Sequence, residues 1–344
     1  MHNRRRLWIT GLLVVLLLVA ILVRLRLFPP LPEPYGVLLI ARSENGNGRS
    51  YWLDPASGTL TAVRGARYLD RPDLSPDGSQ IVYSGWPGLY LYDLTDHSIQ
   101  QITQEERDSS PRWSPDGRSI IFVNNRNFFS ALFRYDLASG ERYSLTDYQN
   151  DLEPEWSPDG ERVVFTTSRD GFQELYTMRP DGTDLKRLTN NTGLNDLRAR
   201  YSPDGQRIAY MTNYSVGDGT GEIWVMNADG SQPRRMTNND IDDSQPIWSP
   251  NGRYLVFTGR TAATSSDLFV YDFQMETLRQ ITALPTVDGN PVWSPDGEWI
   301  DFVSYTTNGQ QSRIYIVRPD GTALRPLTAE HRGCALFLWM PSAK

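Results

Sequence analysis

Trp113-Ser114-Pro115-Asp116-Gly117, followed at once by residues 118–123 (RSIIFV), is the stretch on which the fold turns. Its pentapeptide has the chemistry of a tight reversal. Proline fixes φ at the first central position, aspartate bonds to nearby backbone, and glycine takes a left-handed conformation. The β-branched and aromatic run behind it predicts a buried strand.

The unit repeats. Near copies begin at Ser75, Ser114, Ser157, Ser202, Ser249 and Ser294, at intervals of 39, 43, 45, 47 and 45 residues. An aromatic residue precedes five of them (Trp113, Trp156, Tyr201, Trp248 and Trp293), with Leu74 in the first copy and Asn251 replacing aspartate in the fifth. A second hairpin follows each run, as in residues 175–189 (LYTMRPDGTDLKRLT). Four short strands per unit at this period predict the blades of a β-propeller.

The ends complete the pattern. Residues 36–42 and 51–63 match the later strands of a unit that lacks its first strand. Residues 334–339 (CALFLW) match a lone first strand, with Trp339 falling 46 residues after Trp293. Joining the two fragments removes open sheet edges. The expected fold is all-β, a seven-bladed propeller of four-stranded antiparallel blades closed by the C-terminal strand, with one N-terminal transmembrane helix.

That helix is read from residues 7–23 (LWITGLLVVLLLVAILV), an uncharged run between Arg4, Arg5, Arg6 and Arg24, Arg26. It spans about 26 Å, close to the roughly 30 Å hydrocarbon core. A cleaved signal peptide is the rival reading, but no small-x-small site follows the run. The expected organisation is an anchor over 1–27, a Pro-rich stalk over 28–35 and the propeller over 36–344. Three arginines before the run and two after it place the propeller outside the cytoplasm. Formal net charge is −7, and residues 1–34 carry five arginines against one glutamate, so the remainder is strongly acidic. Such a surface excludes nucleic acid as a partner. The lone cysteine, Cys334, excludes an intrachain disulfide and a cysteine-based metal site.

Trp-Ser-Pro-Asp-Gly repeats at this spacing resemble the WD-like propeller repeats of the TolB family, and the resemblance covers residues 36–341. It implies a propeller fold and leaves the role open, because related propellers include docking platforms, protease gating domains and lyases. Two departures separate the chain from TolB itself. TolB-like proteins have an N-terminal α/β domain after a cleaved signal, and six blades.

Repeat geometry assigns the pentapeptide turns to one face and the connections between second and third strands to the other. The first face hardly varies between units and reads as structural. The second varies at 84–88, 124–130, 167–173, 212–221, 259–266 and 305–312, and repeat proteins place binding surfaces at such loops. Trp86, Phe128, Phe129, Phe172 and Tyr214 there are candidate contacts for a protein or peptide partner, with packing over the sheet ends as the plainer reading. An acid recurs five residues before the aromatic: Asp108, Asp151, Asp196, Asp243 and Asp288. The plainer reading is a residue that fixes a turn. The sharper one is a ring of carboxylates at the channel mouth, binding a basic partner or a cation. No cofactor motif occurs. The absence of a Gly-x-Ser-x-Gly elbow and the scatter of His2, His97 and His331 point away from an enzyme. A glycan- or small-ligand-active hydrolase or lyase using channel-mouth acids is the alternative to a non-catalytic platform.

Overall fold

The computed structural model describes residues 37–42, 48–54, 57–66, 68–214, 220–306, 308, 311–328 and 334–339. They form 28 strands, numbered along the chain. One sheet contains β1 (Val37–Arg42), β2 (Gly48–Asp54) and β3 (Thr59–Ala62), with the last strand, β28 (Cys334–Trp339), antiparallel to β1. Four further sheets are antiparallel meanders in chain order. The first is β4 (Asp70–Leu74), β5 (Gln80–Gly85), β6 (Gly88–Asp93) and β7 (Ile99–Gln101), and the second is β8 (Asp108–Trp113), β9 (Ser119–Arg126), β10 (Phe129–Asp136) and β11 (Arg142–Ser144). The third is β12 (Leu152–Trp156), β13 (Val163–Thr167), β14 (Glu174–Met178) and β15 (Lys186–Arg187). The fourth is β16 (Leu194–Tyr201), β17 (Arg207–Tyr214), β18 (Glu222–Asn227) and β19 (Arg234–Arg235). The remaining sheet has eight strands: β20 (Asp242–Trp248), β21 (Tyr254–Ala262), β22 (Ser265–Asp272), β23 (Thr277–Gln280), β24 (Val287–Trp293), β25 (Ile300–Tyr305), β26 (Ser312–Val317) and β27 (Arg325–Pro326).

Two parts of the expected fold class are corrected. First, the described residues contain no helix, and none that is long and apolar enough to cross a membrane. Their repeats alternate at period two between Pro/Gly turns, so no 3.6-residue stripe arises. The stretch read as a transmembrane helix and the stalk behind it lie outside the described residues. Second, the strands form six sheets, not seven separate four-stranded ones. Ser266 and Val287 pair in parallel and fuse two meanders. Ser266 reinforces the join by donating its hydroxyl to the Asp288 carbonyl at 2.6 Å.

First strands of successive units touch in the order β4, β8, β12, β16, β20, β24 and β28, and β28 returns to β4. Each apolar cluster draws on two consecutive units. One joins Ile121, Val123 and Leu132 to Trp156, Val163 and Phe165, and another joins Trp299, Val303 and Ile314 to Leu53 and Trp339. The recurrent tryptophans stitch these junctions. Trp156, Trp248 and Trp293 donate their indole N–H to the carbonyls of Arg112, Arg200 and Ile247, at 3.1–3.3 Å.

The pentapeptide turn works as its chemistry predicts. Ser114 Oγ donates to Asp116 Oδ1 at 2.6 Å and accepts from the Ser119 N–H at 2.9 Å, while Gly117 sits at φ 69°. The same bonds recur at Ser75, Ser157, Ser202, Ser249 and Ser294. These serines are at most 5% exposed, so this face is a scaffold.

Candidate functional site

Register places the five recurrent aspartates at the entry to the first strand of each unit, on the end that also carries the turns between second and third strands. All five are buried, none more than 3% exposed. Asn124 donates to Asp108 at 2.7 Å, and Arg142 reaches the same oxygen at 3.2 Å. Arg169 holds both oxygens of Asp151. Thr212 and Asn191 each donate to Asp196 at 2.6 Å, Asn239 to Asp243 at 2.9 Å, and Thr286 to Asp288 at 3.1 Å. Each carboxylate is therefore tied into its own unit rather than joined in an open ring. Among the described residues no group of three or more His, Cys, Asp or Glu is placed to hold a metal ion. The described donors to these acids are amides, hydroxyls and guanidinium groups.

Burial raises Asp108 and Asp196, although hydrogen bonds from Asn124 and Thr212 pull the other way. Burial also lifts Asp243 to about 7, opposed by Asn239 and aided by the charges of Glu222 and Asp242. Asp288 rises to about 6 for the same first reason, opposed by Ser304. Sequence reasoning missed the second acid at these junctions. Glu174 and Glu222 open the third strands β14 and β18, Asp267 lies near the start of β22, and all three are buried too. Thr189, Thr237 and Thr282, in the recurring Leu-Thr or Ile-Thr and Met-Thr positions after the fourth strand, donate to them at 2.6, 2.5 and 3.4 Å.

A second feature was also not anticipated. Arg71, Ser110, Glu153, Arg198, Gln245 and Asn290 all have positive φ, between 45° and 58°. Each lies inside a register shift of its first strand, such as that between Ser109 and Arg112. A β-bulge with a left-handed non-glycine residue is costly, on the order of 1 kcal/mol or more. The bulge turns polar groups toward the neighbouring first strands. The Arg198 N–H donates to Glu153 at 2.9 Å, the Asn290 N–H to Gln245 at 3.3 Å, and Arg71 to Ser110 at 2.5 Å. Two residues further on, Arg200 pairs with Glu155 at 2.6 Å, and Asp73 accepts from the Trp113 N–H at 2.7 Å. Ile247 and Val292 take these positions in the next units and line a cavity of about 250 Å³ with Arg198 and Arg200. The sequence signal was a proline two residues before the aromatic, at Pro111, Pro154, Pro246 and Pro291.

On the variable face, Trp86 is 71% exposed, Phe129 is 52% exposed, and Phe128 is fully exposed. Phe172 is partly exposed, and the side chain of Tyr214 lies outside the described residues. The exposed aromatics thus occupy the turns of three consecutive meanders, β5–β6, β9–β10 and β13–β14. Two clefts open on this face, one beside the β9–β10 turn and one, in other units, beside the β21–β22 turn. One, of about 680 Å³, includes Arg107, Arg126, Arg142 and Tyr148. The other, of about 430 Å³, includes Asp242, Arg260, Asp288 and Tyr305.

Antiparallel meanders packed face to face, with their first strands in a closed cycle of contacts, define a β-propeller-like all-β protein. The chain belongs to the TolB-type β-propeller family: residues 110–329 match the model of the TolB beta propeller domain. No curated protein matches it. Among solved structures it is similar to TolB from Acinetobacter baumannii, with 20% identity over 90% of this chain and 83% of that one, at a TM-score of 0.56. It is also similar to an oligogalacturonate lyase from Vibrio parahaemolyticus, with 15% identity, 81% and 90% coverage and a TM-score of 0.65. A puromycin-hydrolyzing peptidase from Mycobacterium tuberculosis matches at 15% identity and a TM-score of 0.68, over 89% of this chain but only 52% of the peptidase. At these identities the likeness shows the fold alone. The relatives include enzymes as well as TolB.

Proposed function

We propose that the chain is a non-catalytic, extracytoplasmic platform that binds a protein or peptide on the face carrying the turns between second and third strands. The observation that carries this reading is the run of solvent-exposed aromatic side chains, Trp86, Phe128, Phe129 and Phe172, on three consecutive turns. Aromatic residues are costly to leave in water and are enriched in interface anchors. Membership of the TolB-type family supports protein binding and the extracytoplasmic location. The burial of Asp108, Asp151, Asp196 and Asp243 supports a non-catalytic role, because a shielded carboxylate has little access to substrate. Photo-crosslinking in cells tests it, with a photoreactive residue at Phe128 or Phe172 and a control at Asp159 in a pentapeptide turn. Discrete protein adducts are expected from the first two positions only. Equal labelling from all three, or none, would remove the platform.

One observation favours a hydrolase or lyase as a second reading. Asp288 is raised to about 6 and borders the 430 Å³ cleft beside Asp242, so it is poised near the range of a general acid. Turnover of an acidic or neutral oligosaccharide, lost in Asp288→Asn, would establish it.

A further inference from the structure

We propose that the cleft beside the β9–β10 turn binds an acidic peptide segment that also carries an aromatic side chain. The inference rests on the platform reading and assigns it a place and a ligand chemistry.

The turn itself is the first argument. Asn127 and Phe128 both have positive φ, 47° and 73°, between the paired residues Arg126 and Phe129. This mirror-image two-residue turn suits the strand twist, and its second position normally belongs to glycine. A phenylalanine there is strained by roughly 1 kcal/mol. No packing offsets the strain, because Phe128 is fully exposed and Phe129 beside it is half-exposed. Neither folding nor the core accounts for this residue, whereas an aromatic anchor for a ligand does.

The cleft beneath it is built in advance. Asn124 donates to Asp108 at 2.7 Å, and the Tyr148 hydroxyl donates to Asn124 at 2.7 Å. Arg142 is fixed by Asp108 at 3.2 Å, by Glu105 at 3.7 Å and by the Phe133 ring, 3.9 Å from its centroid. A floor held this way loses little freedom on binding. The walls differ. Arg107 and Arg126 are exposed and make no ion pair among the described residues, so two guanidinium forks remain for a ligand carboxylate. Arg126 also lies 6.0 Å over the Tyr148 ring, which orients it along the cleft. Glu105 and Glu106 share the rim and set an upper limit on ligand charge. They repel a polyanion or an anionic bilayer, but they tolerate one or two carboxylates spaced along a peptide.

A random-peptide display library panned against the full chain tests this. Enriched peptides should combine Asp or Glu with an aromatic residue. Their affinity should fall about tenfold in Arg126→Ala and in Phe128→Gly, the scale of an interface anchor. Phe128→Gly should at the same time leave the melting temperature unchanged or higher, because it relieves the left-handed backbone. Enriched peptides that bind both variants as well as the parent would overturn the cleft while leaving the platform standing. Enrichment of peptides without acids would overturn the ligand chemistry. A library that yields no binder would also count against the cleft, and the crosslinking from Phe128 and Phe172 then judges the platform separately.

Discussion

Replacing Asp301 with valine should make the protein more stable, by an amount that grows with pH. Asp301 lies on β25, seven residues after the turn serine Ser294. Val82, Ile121, Val164, Ala209 and Val256 hold that position in the other units. Its cross-strand neighbours are Val292 and Ile316, it is fully buried, and neither carboxyl oxygen has a hydrogen-bond partner. Burial alone raises its pKa well above the usual carboxylate range, with no neighbouring charge to oppose it. A neutral carboxyl group buried without partners costs about 2 kcal/mol, which valine should recover. For a protein of this size that corresponds to about 3 °C in melting temperature. The pH term follows from proton counting. Above about pH 4 the unfolded chain has lost the proton that folded Asp301 keeps. Stability therefore falls by about 1.4 kcal/mol per pH unit, until the pH reaches the folded pKa. The valine variant lacks this slope, so its advantage should widen from pH 4 upward. Asp301→Asn should remove the slope while keeping most of the cost of an unpaired polar group. Urea unfolding of all three proteins between pH 4 and pH 8 measures both terms. A gap between valine and parent that stays constant with pH would refute the reasoning, as would a valine variant no more stable than the parent.

Two further outcomes follow from the same packing. Deleting residues 334–344 removes β28, uncovers the β1 edge and takes Trp339 from its cluster with Leu53 and Trp299; circular dichroism melting should show loss of the cooperative transition at physiological temperature, and a sharp transition near the parental midpoint would count against closure by this strand. Ser202→Ala leaves the Arg207 N–H without its 2.9 Å acceptor and Asp204 without a 2.5 Å donor, so chemical denaturation should register a loss of about 1–2 kcal/mol.

What the sequence revealed depended on how local the physics was. The pentapeptide turn is local, so Ser114, Pro115, Asp116 and Gly117 announced both its geometry and its period. The tryptophan that ends most first strands was equally legible as junction core, because a large apolar side chain is needed to fill the space between two sheets. Pairing of β28 with β1 could be inferred only because two incomplete units complement each other. By contrast, the link between Ser266 and Val287 depends on how two neighbouring units lean together, and no residue type announces it. The left-handed residues at Arg71, Ser110, Glu153, Arg198, Gln245 and Asn290 share a backbone conformation but no side-chain chemistry, so only the proline that follows five of them hinted at the position, and Ala199 after Arg198 gave no hint.

The recurrent aspartates show where residue type alone misleads. Asp151 and Asp243 look alike in the repeat, yet one is neutralised by Arg169 while the other faces Glu222 and Asp242 and is pushed up to about 7. Their partners come from different strands and differ between units, so burial and pairing could not be read from the acid itself. The same comparison explains why the variable face is the better place to look for a partner. On the scaffold face each polar group of the turn is spent inside the turn, as with Ser114, Asp116 and the Ser119 N–H. On the variable face Arg107, Arg126 and Phe128 are exposed at the rim of a hydrogen-bonded floor, and neither arginine has an ion-pair partner among the described residues. Exposed groups free to meet a ligand above a support held by hydrogen bonds and ion pairs are the pattern that preorganised binding requires. It is also the opposite of the pattern made by the aspartates, whose bonds turn inward.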